Sequence, residues 1–366
     1  MKLSRTRHIV ILIALLVITG CQHIGPRTIL DDRIPYNEAI VTSWKQQTLL
    51  NIVRLRYLDV PEFVDVPSMV NGYEHNRTTS GSFGAEVHPQ DHVANFLTFG
   101  LSGSRTMSDR PTVTYSPQTG SQFTRNLTNP LPPVSILNLI ESGTPADVVM
   151  ELAVESINGI RNRQFVGGKM QQGDPEFYQV LQNISKAQAS GHVSLRVKPG
   201  SDKEHPDILL TIQDRDIPPA LAEELAQTRK LLRLDPDVHE FKVVFGMLPE
   251  SNDEIAFRTR SVLRIMTFPA LNVQVPDNHL ADGRALDLGD AGSTTQPQLT
   301  VHSGCEKPCD DDAAVQYQGF WFWIDHRDFH SKRSMGYLKI LLALADTGPR
   351  EAAPALTIRA NSAASS

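Results

Sequence analysis

The stretch Glu240-Phe241-Lys242-Val243-Val244-Phe245 (EFKVVF) decides the fold class, together with Gly319-Phe320-Trp321-Phe322-Trp323-Ile324 (GFWFWI). Both are rich in β-branched or aromatic residues, which favours strands. A helical pattern follows each strand, at 260–268 and 332–344, and a further strand pattern follows each helix, at 271–275 and 355–358. Two βαβ units of this kind would build a mixed sheet covered by helices. The predicted class is α+β (mixed α/β), and a duplicated βαβ unit is a hypothesis.

The preceding segment completes an α/β body over 131–360. Apolar periodicity predicts helices at 134–141, 145–157, 175–189 and 219–232, with strands at 192–197 and 207–212. Thr144 and Asp174 occupy N-cap positions, and Pro145 occupies a first helical position. Between the two βαβ patterns lies a long polar loop, 276–314, and loops of this length are usually functional or disordered.

A helix and a β-region precede that body, at 35–130. Pro35–Leu58 has an apolar stripe at helical spacing, with Asn37 as a possible N-cap, and the stripe is Ile40, Trp44, Leu50, Val53 and Tyr57. From Glu62 to Phe123 short runs alternate between apolar and polar residues, which predicts an antiparallel β-meander. Two interpretations stay open: a sheet with one face on a core, or hairpins that contribute to an oligomeric structure.

The first 21 residues have the layout of an export signal. Three basic residues, Lys2, Arg5 and Arg7, precede the apolar run Ile9–Gly20, which is too short to span a bilayer as a helix. The run ends Ile18-Thr19-Gly20-Cys21, which resembles the bacterial lipobox. That resemblance implies cleavage after residue 20, acylation of Cys21 and anchoring to membrane lipid. Gln22 in the next position implies the outer membrane, with the body facing the periplasm, and 21–34 as a short tether.

Composition describes an acidic, mature body. Removing residues 1–20 changes the net charge from −6 to −9, because that segment contains three basic and no acidic residues. This balance argues against nucleic acid as a partner. The mature chain of 346 residues is long enough for a sizeable core, and only the tail 361–366 is low in complexity.

Lipidation of Cys21 would leave two cysteines, Cys305 and Cys309, in the sequence Cys-Glu-Lys-Pro-Cys. In an oxidising compartment the expectation is a local disulfide. A redox or metal role is the alternative, but the spacing differs from that of thioredoxin-like sites.

Five segments carry a resemblance to a known family: 33–40 (RIPYNEAI), 49–57 (LLNIVRLRY), 110–115 (RPTVTY), 156–159 (SING) and 324–328 (IDHRD). They resemble a family of uncharacterised lipoproteins from Gram-negative bacteria. The resemblance spans most of the mature chain and implies one shared architecture but no particular activity.

Candidate chemistry is sparse, because the chain has no nucleophile elbow, zinc-helix motif or phosphate-binding glycine loop. If a helix begins near Asp325, then His326 and His330 share a face with Asp328 and could bind zinc; capping of the next helix by Asp328 or Ser331 is the alternative. The loop residues His88, Asp91 and His92 form a similar group.

Cations at two helix starts could form an anion site, or could make ion pairs within this acidic chain. The residues concerned are Arg260, Ser261, Arg333 and Ser334. The aromatic strand Phe320–Trp323 would present one face to the core and the other either to further core or to a binding surface.

These observations predict a non-enzymatic binding or assembly component of the cell envelope, without a cofactor, that associates with an envelope protein or with itself. The rival hypotheses are a cell-envelope hydrolase whose site residues are dispersed, centred on Asp325 to His330, and an oligomer-forming hairpin protein.

Overall fold

The computed structural model describes residues 25–85, 97–166, 169–202, 205–213, 217–288 and 299–345. The chain divides into two compact units. One is Glu62–Thr119, and the other combines the described residues before and after that segment. The predicted signal at 1–20, the strand pattern at 355–358 and the tail at 361–366 lie outside the described residues.

A long helix, α1, spans Gly25–Arg56. The predicted start at Pro35 and the predicted N-cap at Asn37 are wrong, because the helix begins earlier and contains Pro35 in its interior. Proline is common in the first turn of a helix, and for this reason Pro35 suggested a helix start. Its φ is also compatible with a helix interior, and in the structure the helix continues through it. Most of the predicted tether, 21–34, is therefore part of this helix.

Only the C-terminal part of α1 is buried. Leu49, Ile52 and Val53 have no exposed surface, whereas Ile40 from the predicted stripe is 40% exposed. This part of the helix packs on the segments Val262–Ala270 and Asp311–Tyr317 of the larger unit. In the division of the chain into compact units, the helix therefore belongs to the larger unit and the β-region to the smaller one.

The smaller unit is one long hairpin. Strand β1 (Val64–Ala85) pairs antiparallel with β2 (Leu97–Pro117) over nearly its whole length. The antiparallel prediction is confirmed, but the meander of several short strands is wrong. Glycine, asparagine and serine residues that suggested turns lie within the strands themselves.

Three helices lead into the main sheet: α2 (Gly120–Thr128), α3 (Pro133–Glu141) and α4 (Ala146–Ala153). The last was predicted to run to residue 157 with Thr144 as its N-cap; instead Pro145 is the N-cap residue, without a side-chain hydrogen bond. Strand β3 (Val154–Ile157) follows at once and turns into β4 (Ile160–Arg161). Asn158 and Gly159 make this turn with positive φ angles of 46° and 83°, the arrangement that a two-residue hairpin turn requires.

The main sheet has six strands. After the small pair β5 (Gln164–Val166) and β6 (Lys169–Gln171), the chain forms β7 (Val193–Asp202), β8 (His205–Ile212), β9 (Glu240–Phe245) and β10 (Glu254–Thr259). The sheet order is β4-β3-β10-β9-β8-β7, and only the β9–β10 pair is parallel. Helices α5 (Pro175–Ala189) and α6 (Pro219–Leu231) pack on each other, with the Asn183 amide donating to Thr228 Oγ1 at 2.9 Å. The predicted helices and strands between 175 and 245 are confirmed.

The first predicted βαβ unit is wrong. Helix α7 spans Val262–Ala270, but 271–275 forms no strand and makes only a single bridge, Val273 to Val301. The parallel partner of β9 is instead β10, a strand that the sequence pattern did not predict. The predicted duplication of a βαβ unit is therefore wrong, because the first copy has no second strand at 271–275.

The second aromatic segment forms a separate antiparallel sheet. Strand β13 (Phe320–Asp325) lies between β11 (His302–Gly304) and β12 (Asp311–Tyr317), and helix α9 (Phe329–Ala345) follows. The predicted polar loop at 276–314 is partly wrong, since it contains helix α8 (Asp277–Ala281), β11 and the start of β12. With helices segregated from largely antiparallel sheets, the fold class is α+β, as predicted. Among the described residues, no helix is both long and apolar enough to cross a membrane.

Candidate functional site

Two of the predicted sites cannot be placed. Cys21, the expected lipidation site, lies outside the described residues, and so do His88, Asp91 and His92. The lipid anchor therefore stays a prediction.

The expected zinc site at 325–330 has the wrong geometry. Helix α9 begins only at Phe329, so His326 lies before the helix and does not share a helical face with His330. Asp328 instead caps the helix, because its Oδ1 accepts the Ser331 backbone N–H at 3.1 Å and its Oδ2 accepts the Ser331 hydroxyl at 2.5 Å. Burial alone would raise the pKa of Asp328, but these hydrogen bonds from Ser331 outweigh it and lower the pKa. No group of three or more metal-binding side chains occurs in the part of the chain that the structure describes.

The expected anion site at Arg260 is occupied by the protein itself. The guanidinium is buried and donates to the carbonyl oxygens of Glu151 (2.8 Å), Leu152 (3.1 Å) and Arg163 (2.5 Å). It also lies 4.6 Å from the ring centre of Phe268. Burial lowers the pKa of Arg260 to about 10. A guanidinium with this many internal acceptors is a structural cross-link rather than a receptor for an anion.

The other members of the expected anion site do not lie together at helix starts. Ser261 is the N-cap of α7 and accepts the Arg264 backbone N–H at 3.4 Å. Arg333 and Ser334 lie inside α9 rather than at its start, and Ser334 is buried. The predicted position at a helix start is therefore wrong for this pair.

Arg260 belongs to a buried ionic cluster that links α4, the β4–β5 connection and α7. Arg163 pairs with Glu151 at 3.0 Å, and both side chains are less than a tenth exposed. Glu155 on β3 pairs with Arg264 and lies 3.6 Å from Arg258. The shallow pocket beside this cluster encloses about 30 Å³, room for one or two waters and far less than a small-molecule site needs.

A second buried polar cluster fastens α1 to the C-terminal region. The Tyr57 hydroxyl lies 2.7 Å from His279 Nδ1, and Arg284 Nη1 lies 3.3 Å from His279 Nε2. Since a guanidinium can only donate, Nε2 must be the acceptor, and Nδ1 of the neutral ring is left to donate its proton to the Tyr57 oxygen. His279 has no exposed surface, and its ring lies edge-on to Phe320 with centroids 4.8 Å apart.

Burial sets the protonation of this cluster. It raises the pKa of Tyr57 to about 12. Burial and then the Arg284 charge lower the pKa of His279. Both groups are therefore neutral near pH 7, which fits a structural contact better than a role in acid–base catalysis. Sequence analysis placed Tyr57 on an apolar stripe but could not pair it with a histidine 222 residues away.

The cysteine pair lies at the surface. Cys305 and Cys309 are exposed free thiols between β11 and β12. The disulfide stays a prediction. On the neighbouring strand, Phe322 and Ile324 are buried, while Trp321 is half-buried with the Lys307 ammonium 5.6 Å from its ring centre.

The hairpin Glu62–Thr119 is the remaining candidate, as an interaction element. Its register runs without a shift from Ser68↔Thr114 to Ala85↔Leu97, so opposite residues lie on the same face along its whole length. At its base Tyr115 is 67% exposed and Val64 is 36% exposed. No other strand of the described residues pairs with either edge.

Comparison of the chain with models of known families, with curated proteins and with solved structures finds no match. The function therefore has to be argued from the chain's own geometry.

Proposed function

We propose that this protein is a lipid-anchored component of the cell envelope, held at the outer membrane through Cys21, that works by association rather than by catalysis. Its interaction element is the hairpin Glu62–Thr119. One observation supports this above the others: the hairpin forms a compact unit of its own, with two strands that pair only with each other among the described residues.

The physical reason lies in the energetics of an isolated strand pair. A two-stranded hairpin is at best marginally stable in water, because it buries little apolar surface for the backbone it orders. The pairing from Ser68 to Ala85 extends over roughly 60 Å at about 3.3 Å per residue. No other strand of the described residues pairs with either outer edge, and such an edge is a template for adding strands along that length. A hairpin of this length is explained most simply by a partner that covers it.

The polar clusters of the larger unit support the same proposal, because their charged and titratable groups bond to other groups of the protein. The ionic groups around Arg260 are paired internally, and the Tyr57–His279 pair is buried and neutral. The segment Asp325 to His330, on which the hydrolase alternative depended, caps a helix at Asp328 and has an exposed His326. These groups make structural contacts within the larger unit.

Photocrosslinking in living cells tests the proposal. A photoreactive residue is placed at Leu101 in the hairpin and, as a matched control, at the exposed Ser121 in α2. We expect a defined, stoichiometric product from position 101 and none from position 121. Equal yields at both positions, or no product at either, would contradict an interaction role for the hairpin.

A further inference from the structure

We infer that the partner of the hairpin is a second copy of this chain, added edge to edge so that β2 of one copy lies beside β1 of the next. This inference rests on the proposed function and names the partner. The juxtaposition that supports it is the unprotected distal half of the hairpin, Thr78–Ala85 against Leu97–Ser104.

Proteins normally protect an open sheet edge against unwanted pairing. The usual devices are proline, lysine or other charged residues, bulges, or a covering element. Three of these devices are absent from the distal half: the sequences TTSGSFGA (78–85) and LTFGLSGS (97–104) contain no charged residue and no proline, and the register shows no bulge there. The proximal part, by contrast, contains Pro67, Pro111 and Pro117 and a register irregularity between Asp65 and Ser68. The edges of the distal half are therefore better suited to accept a partner strand than those of the proximal part.

The two faces of the hairpin differ in composition, which restricts what the partner is. In the distal half one face has the apolar-type residues Phe83, Ala85, Leu97, Phe99 and Leu101, together with Thr79, Gly81 and Gly103. The opposite face has small polar types and glycine throughout: Thr78, Ser80, Ser82, Gly84, Thr98, Gly100, Ser102 and Ser104. A shift of one residue in pairing would join apolar to polar positions and lose this separation. The added strand must therefore be uncharged, of similar length, and alternating in the same sense, as the same hairpin of another copy is.

The direction of the two hairpins determines which strands meet. When both hairpins point in the same direction, the outer strands that lie side by side are β2 of one copy and β1 of the next. Pairing β2 of one copy with β1 of the next is then antiparallel, as within the hairpin, and each face stays on the same side of the growing sheet. This contact is heterologous, so repetition gives a closed ring or an open array of copies.

Disulfide trapping on the full-length chain in detergent tests the inference, in a background with Cys305→Ser and Cys309→Ser. One tagged copy has Ser82→Cys on β1, and a differently tagged copy has Thr98→Cys, Ser102→Cys or Ser104→Cys on β2. We expect a mixed crosslink for at least one β2 position and no crosslink between two Ser82→Cys copies. Ser121→Cys is the matched exposed control, and we expect it to give at least tenfold less product.

A second variant tests the inference independently, in case the cysteine variants misfold. Residues 78–104 are replaced by Asn-Gly, which closes a short hairpin at the opposite pair Arg77 and Arg105. We expect this trimmed chain to be monomeric while the parent associates. Absence of mixed crosslinks from all three β2 positions, together with association of the trimmed chain, would overturn the inference. A hairpin that crosslinks in cells only to a different envelope protein would also overturn self-pairing, although the proposed function would then stand.

Discussion

At the scale of single residues, the two buried polar clusters explain why charged and titratable side chains lie inside this fold. Arg260 donates to the backbone carbonyl groups of Glu151, Leu152 and Arg163, at the point where α4 meets the β4–β5 connection. Tyr57 and His279 satisfy each other across a gap of 222 residues. Each cluster joins segments that are far apart in sequence, so its loss should affect the whole body.

Replacing Arg260 with methionine tests the first cluster. The change removes the guanidinium donor from the buried carbonyl oxygens of Leu152 and Arg163, whereas the Glu151 oxygen keeps the Asn162 amide as a donor at 2.9 Å. We therefore expect the free energy of unfolding to fall by about 3 kcal/mol. The matched change Arg258→Met is the control, because Arg258 is about half exposed and lies 3.6 Å from Glu155; it should cost less than about 1 kcal/mol. Urea denaturation of both variants measures this, and equal losses would contradict the structural role of Arg260.

The second cluster predicts a pH dependence. The pKa of His279 is lower in the folded protein than its ordinary value, so below about pH 6.5 the unfolded chain binds a proton that the native ring resists. The stability associated with this group is therefore complete above that pH and is lost as the pH falls. The charged groups acting on the ring are Arg284, which opposes protonation, and Asp282, which favours it, and the neutral Tyr57 hydroxyl contacts Nδ1.

Melting temperatures at about pH 7.5 and about pH 5.5 measure the effect. We expect the intact chain to lose stability between them and the His279→Gln variant to lose clearly less. His326→Gln, at an exposed position, should follow the intact chain. Identical pH profiles for all three would refute the buried neutral state of His279.

At the scale of elements, local patterns predicted those segments whose partners are near in sequence. Helix Pro175–Ala189 and strand Glu240–Phe245 have the predicted bounds, because their apolar spacing and their flanking residues agree. Strand β3 was missed even though Asn158-Gly159 is a strong hairpin signal, because the helical pattern of 146–153 was extended through it. Strand β10 and the short polar β11 depend on partners elsewhere in the chain, β9 and β13, and no local pattern contains that information.

The helix starts provide a paired test at this scale. Asn37 lies inside α1 and is exposed, so Asn37→Ala should leave stability unchanged or raise it slightly. Asp328 caps α9 through Ser331, so Asp328→Ala should cost about 1 kcal/mol. Chemical denaturation compares the two variants directly. A loss of similar size for Asn37→Ala would mean that the helix begins there after all.

At the scale of the whole molecule, the division into two units has a consequence for stability. The larger unit has a core of its own, with fully buried residues such as Phe177, Phe241 and Phe322. We therefore expect the chain with 78–104 replaced by Asn-Gly to keep the melting temperature of the body within about 2 °C, when both chains are compared as dilute monomers. A large fall in the melting temperature would show that the hairpin is part of the body's fold and not an interaction element.

The sequence predicted the α+β class and an antiparallel β-region, but not that this region is one long hairpin. Turn-type residues such as Gly81, Ser82 and Gly84 were taken as breaks between strands. In the structure they are paired positions of the distal half, where small residues alternate with apolar ones. Local composition cannot distinguish a turn between two short strands from small residues inside one long strand, because the same residue types occur in both.

Sedimentation velocity of the protein extracted from its membrane by mild detergent tests self-association through the hairpin most directly. It is measured for the full-length chain and for the chain trimmed at 78–104. We expect the full-length chain to sediment as a complex of several chains and the trimmed chain as a single detergent-bound copy. Equal masses for the two chains, whether both single or both associated, would contradict self-association through the hairpin.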